Sequence, residues 1–312
     1  MSTSPDLDQI QLIAADLGVD ASFIEKDWYA MRIIASLLTV KSSQMQLVFS
    51  GGTSLSKGFG LIQRFSEDLD FKVILPDTGF NRNECRKYRT QLIEAIRQGS
   101  TDWSLDEQDI ESRNQGRFFM CQITYQPNFT PFVALRPQIK LEITFKSPVL
   151  PVENKSLQSF IAIAQRQKPE VPTIYCVSPV ETAADKLSAL TWRILSKHNS
   201  NEQKDPTLIR HLYDLAALEN YITVYEDFSN LVLSVLAKDE SRSKNPALLG
   251  VQPIERLLMM LRCLEYDSIY AEQYERFVTG MSYATENERL SFNQALLSVR
   301  RIISQMNNQI SN

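Results

Sequence analysis

The sequence holds only two histidines, His198 and His211, among 312 residues, which excludes a histidine-built metal centre. Its four cysteines, Cys85, Cys121, Cys176 and Cys263, lie far apart with no Cys-x-x-Cys spacing. That pattern excludes a zinc ribbon and a disulfide scaffold, and reads as the reduced thiols of a cytoplasmic protein. An excess of positive charge is missing too: 33 Lys and Arg stand against 37 Asp and Glu, a formal net charge of -4. The chain as a whole is therefore no basic wrapper for nucleic acid, and any RNA contact has to rest on a local patch. No apolar run approaches the ~18 residues of a membrane span, so no membrane partner is expected. The polar, acidic stretch Met1–Asp8 lacks the pattern of a secretion signal. Internal repeats and low-complexity tracts are absent. What is present is an ordinary globular composition, 43% hydrophobic and 22% charged. The length suggests two domains, or one domain with a sizeable extension.

The stretch that carries chemistry runs from Gln46 to Lys72. It reads as strand (Gln46–Ser50), glycine turn, short helix, strand. Gly51 and Gly52 let the backbone turn sharply and approach a ligand with no Cβ in the way. The helix after them directs free N–H groups and its positive end at the turn, which suits a phosphate. Asp68 and Asp70 follow. Residues i and i+2 of a strand share a face, so both carboxylates project together beside that turn. Paired oxygen ligands of this kind suit Mg²⁺, and the stretch reads as a metal-assisted nucleoside triphosphate site.

Gly51-Gly52-Thr53-x-Leu55-x-Lys57 followed by Arg64-Phe65-Ser66-Glu67-Asp68-Leu69-Asp70 closely resembles the first motif of the AbiEii/AbiGii toxin family. These are nucleotidyltransferases of the DNA polymerase β type, many of them toxins of type IV toxin–antitoxin pairs. The resemblance makes Gly51, Gly52, Thr53, Ser54, Lys57 and Ser66 the nucleotide-binding set. Ile24-Glu25-Lys26-Asp27-Trp28 resembles the family's helix before the turn, although the residues alone read as an amphipathic helix with solvated charges. Glu142, in Gln138-Ile139-Lys140-Leu141-Glu142-Ile143, matches the strand that gives polymerase-β-type enzymes a third metal carboxylate. Equally, it reads as an edge residue paired with Lys or Arg. Glu181-Thr182-Ala183-Ala184-Asp185-Lys186-Leu187-Ser188-Ala189-Leu190 and Arg210-His211-Leu212-Tyr213-Asp214-Leu215 resemble two later motifs. In the family their lysine and aspartate complete the site, which nominates Lys186 and Asp214; read alone, the two form an ion pair between packed helices.

In chain order, helices are expected over 6–17, 21–40 (with Asp20 as N-cap) and 82–99, and strands over 117–125, 137–145 and 173–177. Arg82, Arg86 and Arg89 line one helix face with Lys87 beside them, either a solvated face or a phosphate contact. Prolines at 148, 151, 169 and 172 mark a boundary region. From Ser178 the pattern is helical, opening with a capping sequence, Ser178-Pro179-x-Glu181. That helix runs to about Lys197, a polar loop spans His198 to Pro206, and helices follow near 207–220, 224–238, 253–264, 267–280 and 286–308. The fold expected is α+β: a polymerase β-like nucleotidyltransferase domain with a mixed sheet over 1–175, then an α-helical bundle over 176–312.

The function expected is transfer of a nucleoside monophosphate from an NTP to an acceptor, with two Mg²⁺ ions held by Asp68 and Asp70 and completed by Glu142. The resemblance implies a tRNA acceptor, a cognate antitoxin and a place in a toxin–antitoxin or phage-defence pair. A small molecule or a protein hydroxyl as acceptor, and a non-catalytic nucleotide-binding interaction protein, are the competing readings.

Overall fold

The computed structural model of the chain describes residues 6–132, 135–197, 206–239, 248 and 250–311. The expected polar loop lies outside them over 198–205. The chain divides into two compact units, Met1–Ser178 and Pro179–Asn312.

The first unit is built on one mixed sheet of eight strands. They are β1 (Gln46–Ser50), β2 (Asp68–Ile74), β3 (Trp103–Ser104), β4 (Ile110–Arg113), β5 (Phe118–Tyr125), β6 (Gln138–Thr144), β7 (Glu153–Leu157) and β8 (Val171–Cys176). The strand order is β3-β5-β6-β2-β1-β8-β7, with β4 paired to β5. The central pair β1·β2 is antiparallel, while β2·β6 and β1·β8 are parallel. Alternation sorts the side chains into two faces. Leu69, Phe71 and Val73 of β2, Ile139, Leu141 and Ile143 of β6, and Phe119, Cys121 and Ile123 of β5 are all buried on one of them. The register places them in rows, such as Phe119–Ile143–Phe71–Phe49. Each large apolar side chain so buried contributes about 1.5–3 kcal/mol, so the register is strongly fixed. Asp68, Asp70, Lys140 and Glu142 therefore fall together on the other face.

Helix α1 (Leu7–Leu17) packs on α2 (Ala21–Leu37), and α2 packs on α4 (Arg82–Gly99) and on α5 (Phe160–Ala164). Asp20 caps α2 as expected, its Oδ1 accepting the Ser22 N–H at 2.9 Å. The solvated charges expected on α2 are a correction. Glu25 is 0% and Lys26 4% exposed, because α2 is enclosed between the sheet unit's loops and helices. The stretch around 148–173, taken as a boundary region, holds β7 and α5. β7 was hidden by its composition: Glu-Asn-Lys-Ser-Leu presents a single buried residue, Leu157, as suits a charged edge strand.

Among its described residues the second unit carries the α-helices α6 (Pro179–Lys197), α7 (Arg210–Ala217), α8 (Glu219–Thr223), α9 (Phe228–Asp239), α10 (Pro253–Tyr266), α11 (Ile269–Met281) and α12 (Phe292–Ser311). α6 packs against α7, α9 and α10, burying Ala183, Ala184, Leu187, Leu190 and Ile194 completely. Three expected helices are differently bounded, the one over 224–238 beginning only at Phe228. The one over 207–220 is a 3-10 turn, Pro206–Ile209, then α7 and α8, divided at Leu218 where ψ opens to 0°. The one over 286–308 begins at Phe292 because a capping box sits just before it. Ser291 Oγ accepts the Gln294 N–H at 3.3 Å and Gln294 Oε1 accepts the Ser291 N–H at 2.8 Å.

Candidate active site

The site forms where β1 ends. β1 stops at Ser50, and α3 (Gly51–Thr53) runs directly into a π-helical turn, Ser54–Gly58. Gly51 sits at φ +74°, the left-handed region that glycine enters without strain. A Cβ on Gly51 would lie 2.1 Å from Asp70 Oδ2. The Asp70 carboxylate thus rests on the bare Cα of the turn, and the first glycine exists to let it. Gly52 is packed in the same manner against the site's other wall: a Cβ there would meet Arg64 Nη2 at 2.7 Å and Ser66 Oγ at 2.8 Å. Thr53 Oγ1 donates to the Asp68 carbonyl at 2.6 Å, tying the turn to the first residue of β2. The two halves of the motif, about 15 residues apart in sequence, therefore form one contact surface.

Asp68 and Asp70 project from the same face of β2, and β6 lies alongside with Asp70 opposite Glu142 and Asp68 opposite Lys140. The donor chemistry of these oxygens fits a hard divalent cation. Two carboxylates of this face, those of Asp68 and Glu142, are paired with cations of the chain itself. Arg136 Nη1 donates to Asp68 Oδ1 at 3.0 Å, and Lys140 pairs with Glu142. Among the described residues no three Cys, His, Asp or Glu side chains converge as a metal-holding group. The register thus brings Glu142 beside Asp70, and the ion pair with Lys140 turns it along its own strand. Asp68 and Asp70 are the residues that fit the cation.

Lys57 does not join this cluster. Its Nζ lies 2.8 Å from Asp27 Oδ1 and 3.5 Å from the centre of the Phe160 ring, inside the helical layer. Burial lowers the Lys57 pKa and raises that of Asp27, each opposed by the partner's charge. Asp27 also accepts the Phe160 N–H at 2.8 Å. Lys26, its neighbour, donates to Glu67 Oε2 at 2.9 Å and to the Arg136 carbonyl at 2.8 Å. Burial lowers its pKa too, against the pull of Glu67. Glu25 accepts from the N–H groups of Asn128 and Phe129 at 2.9 and 3.3 Å. Three successive charges on one helix thereby anchor the glycine helix, the approach to Asp68, and the loop ahead of β6.

Arg136 had no local sequence signal. It stands alone before Pro137, and only the folded chain shows its backbone held by Glu67 (Arg136 N–H to Oε2, 2.9 Å) while its half-exposed side chain reaches Asp68. In the helical unit, Lys186 Nζ and Asp214 Oδ2 are 2.6 Å apart, with side-chain exposures of 8% and 0%. The two motif residues do meet. His211 lies beside them, its two ring nitrogens buried and, among the described residues, without a hydrogen-bond partner. Burial first, then the charges of Lys186 and Arg210, hold its pKa well below the ordinary histidine value. The imidazole is neutral at physiological pH.

A mixed sheet carrying an Asp-x-Asp strand against a glycine turn defines the nucleotidyltransferase class of α+β folds. The chain belongs to the family of nucleotidyl transferase AbiEii toxins of type IV toxin–antitoxin systems, whose model matches residues 32–297. The structure is similar to that of MenT4, a nucleotidyltransferase toxin from Mycobacterium tuberculosis H37Rv, with a TM-score of 0.54 and 20% sequence identity. The match covers 93% of this chain and 98% of that one. At that identity the likeness speaks for the fold. No curated protein matches the sequence. No helix among the described residues is long and apolar enough to cross a membrane.

Proposed function

We propose that the chain transfers a nucleoside monophosphate from an NTP to a hydroxyl of an RNA acceptor, tRNA first among them, and releases pyrophosphate. The observation that carries this is the seating of Asp70 on Gly51, which fixes a metal-binding carboxylate at the mouth of a backbone turn suited to phosphate. Magnesium, when bound, would lower the pKa of the attacking hydroxyl and neutralise charge on the triphosphate. Asp68 and Asp70 would hold it, with Glu142 on the adjoining strand position once released from Lys140. The backbone N–H groups of Gly51 to Ser54 would receive the phosphates. The hydroxyl of Thr53 is committed to the Asp68 carbonyl and Lys57 to Asp27, so both act by shaping the turn. Arg136, half-exposed above Asp68, would exchange that carboxylate for an oxygen of the triphosphate. Lys186 and Asp214 are assigned to the reaction on the family motifs they match. A type IV toxin implies a cognate antitoxin, and action on tRNA places the protein in the cytoplasm, in a growth-control or phage-defence role.

The test is direct. The protein is incubated with each labelled NTP, Mg²⁺ and total tRNA, and both pyrophosphate release and labelled RNA are followed. Label on RNA that disappears with EDTA and with Asp70→Asn is the expected result. Magnesium-dependent pyrophosphate release with label on a protein or a small molecule would replace the acceptor. No release with any NTP would remove the transferase reading for this chain.

A further inference from the structure

A second concentration of charge lies on the first unit, outside the metal strand. A cleft of about 550 Å³ is lined by Arg82, Arg86 and Arg89 of α4 and by Ser112, Arg113 and the turn 114–116 at the end of β4. The turn is built in the left-handed region, with φ of 52°, 56° and 86° at Asn114, Gln115 and Gly116. Arg89 Nη1 donates to Ser112 Oγ at 2.8 Å, joining the helix to the turn, and Arg113 pairs with Glu111 at the rim. Among the described residues no hydrogen bond or ion pair engages the guanidinium group of Arg82 or Arg86, and both residues are exposed.

This arrangement works against the helix that carries it. Arg82 and Arg86 are i and i+4, and Arg86 and Arg89 are i and i+3, so like charges stack along one face. Arg82 opens α4 (Arg82–Gly99), at the positive end of its dipole, where a cation is disfavoured, and Arg86 and Arg89 follow on the same face. A chain of net charge -4 gains no solubility from such a cluster. Helix end, guanidinium groups and turn all favour one thing, an anion with several oxygens. Arginine's planar fork binds phosphate oxygens in pairs, and the three α4 arginines span about 10 Å of helix axis at 1.5 Å per residue, more than a single phosphate group.

The register locates the cleft with respect to the site. Arg113 pairs with Phe118, Phe118 with Thr144, and Thr144 with Lys72, two residues beyond Asp70. Three strand spacings across and two residues along put the Arg113 and Asp70 backbones roughly 16 Å apart. Arg113 also feels the charge of Glu142. We infer that this cleft is a phosphodiester-binding subsite for the backbone of an RNA strand, and, resting there on the transferase reading, that it holds the acceptor a few nucleotides from its reacting end.

The experiment uses the full chain carrying Asp70→Asn, with and without Arg82→Ala/Arg86→Ala, and fluorescently labelled tRNA titrated at 50 to 200 mM salt. Each lost phosphate contact removes about 0.7 from the slope of log K against log salt for a single strand. The double variant is expected to bind roughly tenfold more weakly, with the slope reduced by about 1–2. It should melt at the same temperature or higher, since two repulsive charges leave the helix. An unchanged slope overturns the subsite. So does competition by poly-glutamate as effective as that by RNA, which would make the cleft a contact for acidic protein. The two readings fail separately. Wild-type protein that labels no RNA yet binds it with an arginine-dependent slope sinks the transferase acceptor and leaves the subsite. Labelling of tRNA with an unchanged KM in the double variant sinks the subsite and leaves the transferase.

Discussion

At the scale of single residues, Gly51 and Asp27 are the two positions where one atom decides most. Alanine at Gly51 pays the left-handed penalty, about 1–2 kcal/mol, and drives its Cβ into the Asp70 carboxylate. Gly51→Ala is therefore expected to lose nucleotidyl transfer by orders of magnitude while melting only a few degrees lower; full activity would show that Asp70 need not rest on the turn. Gly52→Val differs, because its Cβ meets Arg64, which is 1% exposed. It should lower stability as well as NTP affinity. Asp27→Ala strands the Lys57 ammonium in the helical layer. Breaking one side of a buried pair costs about 3–5 kcal/mol, a drop in melting temperature on the order of 10 °C for a unit of this size. Asp27→Leu combined with Lys57→Met should recover most of that loss. A double-mutant cycle measures it, and additive losses would mean the pair contributes nothing as a pair.

At the scale of elements, the periodic segments were legible and the irregular ones were not. α4 has the bounds expected of it, and the structure adds the cap that fixes its start, Asn81 accepting the N–H groups of Asn83 and Glu84. β5 and β6 were visible through alternation. β7 and β4 were not, because an edge strand pairs on one side and keeps polar residues. Asp68 and Asp70 were legible because a strand fixes their common face. The orientation of Lys57 and Glu142 was not, since it is decided by Asp27 and Lys140 rather than by the motif. α7 offers a pH test. His211 is neutral in the folded unit, with its pKa depressed by burial, whereas an unfolded histidine titrates near 6.5. Below about pH 6.5 only the unfolded state gains this proton, so stability falls as pH drops, by up to about 1.4 kcal/mol per pH unit. Thermal melts from pH 7 to 5 should show that slope, and His211→Gln should flatten it. An equal slope in both proteins would assign it to other groups.

At the scale of the molecule, membership of a toxin family makes the cell the assay. Induced expression of the chain without its antitoxin should arrest bacterial growth, since product accumulates turnover by turnover even at low enzyme levels. Asp70→Asn, Lys186→Ala and Asp214→Ala should each relieve the arrest. Soluble, folded Lys186→Ala or Asp214→Ala that still arrests growth would confine the chemistry to the first unit. Soluble expression is the necessary control, because Asp214 is 0% exposed and its pair with Lys186 is buried.

The three charges at the middle of α2 also bear on how such a protein changes over generations. Glu25 is bound to the Asn128 loop, Lys26 to Glu67 and Asp27 to Lys57, so each has a correspondent far away in sequence. A substitution at one is tolerated only beside a matching one at its correspondent. Among relatives, positions 26 and 67, and 27 and 57, are expected to vary as couples or not at all. If relatives keep this tripeptide, its persistence records how the glycine turn and the strand of Asp68 and Asp70 are held in place, and would be mistaken for chemistry by anyone who counted only invariance.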